Sequence, residues 1–136
     1  METTQTRDFE TKKLSGEITE VAPDGSNVRL LLALDSAVMA HYELPSQTVS
    51  IAVTNRTVEE IWYFISGRGE MWRKQSNHEE IVAVEPGVCI TIPLGTHFQF
   101  RAVGDKALEA IGVVVPPWPG PEEALVVEGR WKPTVV

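Results

Sequence analysis

Three observations predict an all-β chain folded as an antiparallel jelly-roll β-barrel in a single domain. Short runs rich in β-branched and aromatic residues recur along the chain, and Gly, Pro, Asn and Asp clusters separate them at short, even intervals. No segment longer than a turn or two carries helical periodicity. The length of 136 residues suits one core, since a chain of this size buries roughly two-thirds of the surface it exposes when unfolded.

Residues 1–13 are polar and nonperiodic, so they are expected to form a flexible N-terminal tail ahead of a barrel over 14–115. Residues 14–21 read as a strand, Ala22-Pro23-Asp24-Gly25-Ser26-Asn27 as a turn and 28–34 as the returning strand. Asp35-Ser36 breaks that hairpin, 37–44 alternates, Pro45-Ser46 turns and 48–53 forms another short strand. The most distinctive stretch is EEIWYFISGRGEMW at 59–72. Residues 61–65 are aromatic or β-branched, and Gly67-Arg68-Gly69 supplies a tight reversal. Alternation puts Glu60 on the same face as Trp62 and Phe64, so this carboxylate is expected to look inward.

Beyond that hairpin, strands are expected at 78–84, 88–92, 97–103 and 108–115, punctuated by Ser76-Asn77, Glu85-Pro86-Gly87, Pro93-Leu94-Gly95 and Gly104-Asp105. Residues 116–136 should form a C-terminal strap packed on the barrel, because Pro116-Pro117-Trp118-Pro119-Gly120-Pro121 cannot donate a normal ladder of hydrogen bonds. Trp118 and Trp131 are expected to pin it, and 122–126 is the best candidate for a helical turn.

Composition excludes several function classes. Hydrophobic residues make up 43% and charged residues 23%, and no apolar run approaches the ~18 to 20 residues of a membrane span, so no membrane partner is expected. The start METTQTRDFETKK lacks the apolar core of a signal peptide, which makes the cytoplasm the expected location. Cys89 is the single cysteine and fits a reducing compartment; between Val88 and Ile90 it reads as a buried, inert thiol. A net charge of −7, with only 12 scattered Lys and Arg, argues against a nucleic-acid partner.

Two motifs carry a family resemblance. Glu60, six residues and Gly67 form the first; Gly87, five residues, Pro93, one residue and Gly95, followed by His97, form the second. With this spacing either side of one hairpin, 28–117 resembles the cupins, a superfamily of small β-barrels. The wording EEIWYFISGRGEMW, IPLGTHFQFR and PPWPG is similar to a subgroup of small single-domain bacterial cupins. The resemblance implies a double-stranded β-helix whose mouth holds a small organic ligand. Isomerases, cyclases, oxygenases and plain binders all occur on that fold, so both readings stay open: a small-molecule-processing enzyme, metal-dependent or not, and a non-catalytic binding or sensory module without metal.

The resemblance also marks a departure. Metal-dependent cupins carry His, one residue, His shortly before the Glu, whereas the window from Val53 to Glu60 here contains no His; Asn55 and Arg56 stand where the second would lie. The first metal-binding motif is therefore degenerate, and a site of three His and one Glu is impossible from it. A reduced set of His41, His97 and Glu60 would suit Fe, Zn, Ni or Mn, and no cofactor is certain. Only Thr96 separates Gly95 from His97, so strict alternation points Phe98 and Phe100 into the barrel and His97 away, while a one-residue shift in the irregular turn reverses this; both orientations of His97 stay open.

Without metal, Glu60 and His97 become an acid/base pair, with Arg56 or Arg101 holding a substrate anion. The competing structural reading pairs Glu60 with Arg56 or Arg101 to offset its desolvation. Asn55, Arg56, Trp62, Phe64, Phe98 and Gln99 are the expected substrate-binding residues, with the aromatics walling a largely apolar cavity. His41, with Glu43 on its face, also reads as a hydrogen-bonded strand histidine, and His78 as a solvated turn residue. Residues 61–65 are apolar on both faces. In cupins the second covering layer is often another subunit, so a homodimer is expected.

Overall fold

In the computed structural model, which describes residues 7–135, strict alternation along one strand sets the frame. On β5 (Glu59–Ser66), Glu60, Trp62 and Phe64 are buried while Glu59, Ile61, Tyr63 and Ile65 are exposed. Gly67 alone joins β5 to β6 (Arg68–Gln75). It has φ +78°, and a Cβ there would collide with the carbonyl oxygen of Ala107, so only glycine makes this reversal.

The other strands are β1 (Glu20–Val21), β2 (Asn27–Ala33), β3 (Val38–Leu44), β4 (Val53–Asn55), β7 (His78–Val84), β8 (Cys89–Ile92), β9 (His97–Val103), β10 (Leu108–Val115) and β11 (Ala124–Val126). They form two antiparallel sheets, of order β1-β2-β3-β10-β5-β8 and β11-β4-β9-β6-β7. The all-β jelly roll is thus observed. Its core lies between the sheets, where Leu44, Trp62, Phe64, Met71, Phe98 and Phe100 are essentially sealed from solvent.

Three local expectations differ from the structure. The strand expected over 14–21 is confined to Glu20–Val21, and Leu14 and Ile18 stay about half exposed because no alternating face is buried there. The preceding stretch instead follows the β2 edge through Lys12 Nζ to the Leu30 carbonyl (2.9 Å) and Arg29 Nη2 to the Gly16 carbonyl (3.2 Å). Of the tail expected over 1–13, residues 1–6 lie outside the described residues. The strand expected over 48–53 starts only at Val53, Val49 making an isolated bridge to Arg101.

The third difference is at 122–126, where one 3-10 turn (Pro121–Glu123) gives way to the extended β11. A tertiary contact overrides local preference: the buried Glu123 carboxylate accepts the Thr57 hydroxyl and the N–H groups of Thr57 and Val58 (3.0 Å for Val58). Burial raises the Glu123 carboxyl, but these bonds outweigh it and hold the group below its usual value. The C-terminal stretch consequently enters the sheet, β11 pairing with β4. Among the described residues, no helix is long and apolar enough to cross a membrane.

Candidate functional site

Glu60 lies at the polar end of a cavity of about 270 Å³ between the sheets. Most of the wall is apolar: Val28 and Leu30 from β2, Val38 and Ala40 from β3, Val114 from β10, with the rings of Trp62, Phe98 and Trp118. Strand alternation explains the membership. Even-numbered residues of β3 face the cavity with those of β5 and β9, while odd-numbered residues face outward.

Three neutral donors hold the Glu60 carboxylate. Tyr42 Oη donates to Oε1 at 2.9 Å, Trp62 Nε1 donates to the same oxygen at 2.9 Å, and Asn55 Nδ2 donates to Oε2 at 2.8 Å. A carboxylate has about four lone-pair sites, so the three donors leave one, on Oε2. Burial pushes the Glu60 carboxyl above its ordinary value; the bonds from Trp62, Asn55 and Tyr42 oppose that push, and the charge of Asp24 adds to it. Burial, then Glu60 itself, raises the Tyr42 phenol well above its ordinary value, so Tyr42 stays protonated and donating.

Gly112 makes this cluster sterically possible. It sits on β10 between Ala40 and Trp62, and a Cβ there would collide with the Tyr42 ring. The Tyr42 and Trp62 ring centroids accordingly approach to 4.6 Å.

Asp24, in the β1–β2 turn, is a second buried carboxylate lining the same cavity. Its Oδ1 accepts the backbone N–H (2.9 Å) and hydroxyl (2.6 Å) of Ser26, and Oδ2 has no partner among the described residues. Burial raises this carboxyl too, with the Ser26 bonds offsetting part of the rise.

Of the residues expected at the site, Glu60, Asn55, Trp62 and Phe98 converge on the cavity. Phe64 is fully buried beside Trp62 but belongs to the core below the cavity. His41 lies on the outward face of β3, buried, with Nε2 2.8 Å from Glu109 Oε1 and Nδ1 3.5 Å from Arg29 Nη1. His97 follows the alternation and points away from the cavity that its neighbour Phe98 lines.

Gln99, also outward, is fully buried beneath the C-terminal stretch. It donates to the Ser50 and Trp131 carbonyls and accepts from the N–H groups of Arg130 and Trp131, so it is a clamp rather than a pocket residue. Arg56 is exposed. Arg101 pairs with Glu70 (Nε to Oε1, 2.9 Å) and lies 4.3 Å from the centroid of the Trp131 ring. The expected pairing of Glu60 with either arginine is therefore corrected: neutral donors, not a cation, compensate it. Cys89, expected to be buried, is exposed, because its side chain falls on the outer face of β8.

The side chains do not fit a divalent metal. His41, His97 and Glu60 occupy separate faces, and no three His, Cys, Asp or Glu among the described residues converge on a point. Reading one letter further along β3 would have found Tyr42, since placing His41 outward turns Tyr42 inward. Asp24 carried only the signal of an Asx turn with Ser26; its approach to the barrel is a tertiary event.

No family model matches the sequence, and no curated relative matches it. Solved structures match in fold. KdgF from Halomonas sp. superposes with a TM-score of 0.66 at 15% identity, over 81% of this chain and 97% of that one. The capsular polysaccharide assembling protein CapF from Staphylococcus aureus gives 0.67 at 16% identity, over 85% of this chain but only 33% of CapF. A predicted oxalate decarboxylase from Thermotoga maritima gives 0.63 at 17% identity, over 76% and 94%. With two antiparallel sheets enclosing a cavity, and cupin structures as its neighbours, this chain has the cupin fold.

Proposed function

We propose that the barrel binds a small, largely apolar organic molecule, with Glu60 as its polar anchor. The observation that carries this reading is a three-point-held carboxylate, with one acceptor site left over, facing an apolar cavity. A volume of about 270 Å³ falls just short of the ~300 Å³ at which pockets for drug-sized ligands begin, so the occupant is small. Turnover, on this reading, is metal-free proton transfer of isomerase or cyclase type at the free position of Glu60 Oε2. The rival is a binder or sensor without turnover. The oxalate named for the Thermotoga neighbour does not carry over to this chain, because a dianion would meet two buried carboxylates.

A neutral ketone, 4-phenyl-2-butanone, tests both readings. Saturable binding by calorimetry, lost in Ala40→Trp, supports the pocket, and its absence would sink it. Exchange of solvent deuterium at the ketone's α-carbons, abolished in Glu60→Gln, supports turnover; binding without exchange favours the binder.

The outer face of the six-stranded sheet supports a homodimer. Met39, Val113 and Ile61 form one cross-strand row, Ile111, Tyr63 and Cys89 the next, and Ile61 and Tyr63 are 52% and 51% exposed. The free Cys89 thiol on that face suits a reducing compartment such as the cytoplasm. Light scattering at micromolar concentration should give twice the chain mass, reverting to one in Ile61→Glu; a stable wild-type monomer would contradict the reading.

A further inference from the structure

We infer that the cavity takes an organic cation: a primary or substituted ammonium group carried on an apolar body of a few carbon atoms to a small ring. The inference rests on the pocket reading above and adds the charge of the ligand. Three acidic side chains line the cavity, Glu60 at its polar end, Asp24 in the turn and Glu20 on exposed β1, while no Lys, Arg or His among the described residues lines it. Elsewhere in the barrel, carboxylates meet cations, as Glu43 meets Arg29 and Glu70 meets Arg101. Glu123, buried outside the cavity, has both oxygens held by the Thr57 hydroxyl and the N–H groups of Thr57 and Val58 instead; inside the cavity, Glu60 and Asp24 face no cation among the described residues and keep acceptor positions open.

The open positions on these groups are acceptors. One lone-pair site remains on Glu60 Oε2, and Asp24, 7% exposed, has no hydrogen-bond partner on Oδ2 among the described residues. An ammonium group is all donor, so it complements both. Two like charges near each other in an apolar cavity are costly; a bound cation offsets their repulsion and their desolvation together, and a bound anion would add to both. Around them, the rings of Tyr42, Trp62, Phe98 and Trp118 present the electron-rich surfaces that attract ammonium groups.

Three probes of matched shape test the charge: 4-phenylbutylammonium, 4-phenylbutanol and 4-phenylbutanoate, titrated calorimetrically into the full chain at one ionic strength. The ammonium should bind at least tenfold more tightly than the alcohol, and the butanoate most weakly. Asp24→Asn, which keeps an oxygen for Ser26, and Glu60→Gln should each erase the ammonium preference while alcohol binding persists. The wild-type comparison stands even if a variant does not fold. Alcohol binding as tight as the ammonium, or butanoate binding tighter than either, would overturn the cation while leaving the pocket. Failure of all three probes to bind would remove the pocket reading and the cation with it.

Discussion

The two faces of β3 each bury a polar cluster, and they solve the problem of buried charge in different ways. Outward, His41 lies between Glu109 and Arg29, with Glu43 on the same guanidinium, so anions and a cation compensate one another within the chain. Inward, one residue away, Tyr42 joins Asn55 and Trp62 in holding Glu60 with neutral donors alone. The outer cluster contains its own cation, Arg29. The inner one is satisfied in hydrogen-bond geometry on three positions but has no counter-charge among the described residues, and it borders the cavity. Buried charge without a partner is expensive, which is why the inner cluster reads as a site and the outer one as structure.

The comparison can be broken by substitution, beginning with the largest effect. Trp62→Ala removes the ring that both walls the cavity and donates to Glu60, and urea denaturation should show a loss of about 3–5 kcal/mol. A loss under 1 kcal/mol would mean that the inner face is not packed as described. His41→Ala should cost about 2 kcal/mol by leaving Arg29 and Glu109 without their shared partner, yet leave the affinity for 4-phenyl-2-butanone within twofold of wild type. Weakened ketone binding would show that the two faces are coupled.

Glu60→Gln should cost only about 1 kcal/mol, because the lost acceptor is offset by relief of a buried charge. Its signature is in the pH dependence. Burial raises the Glu60 and Asp24 carboxyls, so the native state holds these protons more tightly than the unfolded chain does. Their contribution to stability is fully present below the unfolded value and is lost as pH rises through the folded one. Denaturation midpoints measured from the carboxylate range to neutrality should therefore slope less steeply in Glu60→Gln than in wild type, and equal slopes would contradict the environment assigned to Glu60. Smallest of all, His97→Ala should change stability by no more than about 0.5 kcal/mol and leave ketone binding unchanged; a loss of binding would return His97 to the site.

The sequence by itself determined the barrel and the direction of its central strand. Alternation at 59–66 requires Glu60, Trp62 and Phe64 to share one face, Gly67 can only be a reversal, and β7, β9 and β10 run over the residues that their patterning marks. These features follow from neighbours along the chain, where a period of two and the steric freedom of glycine act locally. Trp62 and Phe98 were legible for the same reason, as residues on strands already placed, whereas Asn55 lay beyond the strand expected over 48–53 and was marked only by its place in the motif of the resemblance.

Partnership across the fold was decided only by tertiary structure. Nothing local distinguishes Arg101, paired with Glu70, from a pocket cation, or Gln99, clamped under the C-terminal stretch, from a substrate contact. Asp24 reads as an ordinary turn acid until the β1–β2 hairpin brings it to the cavity of Glu60, and Gly112 as a strand defect until the Tyr42 ring is set against it. Which charge meets which depends on distances between residues remote in sequence, and those exist only once both sheets have closed.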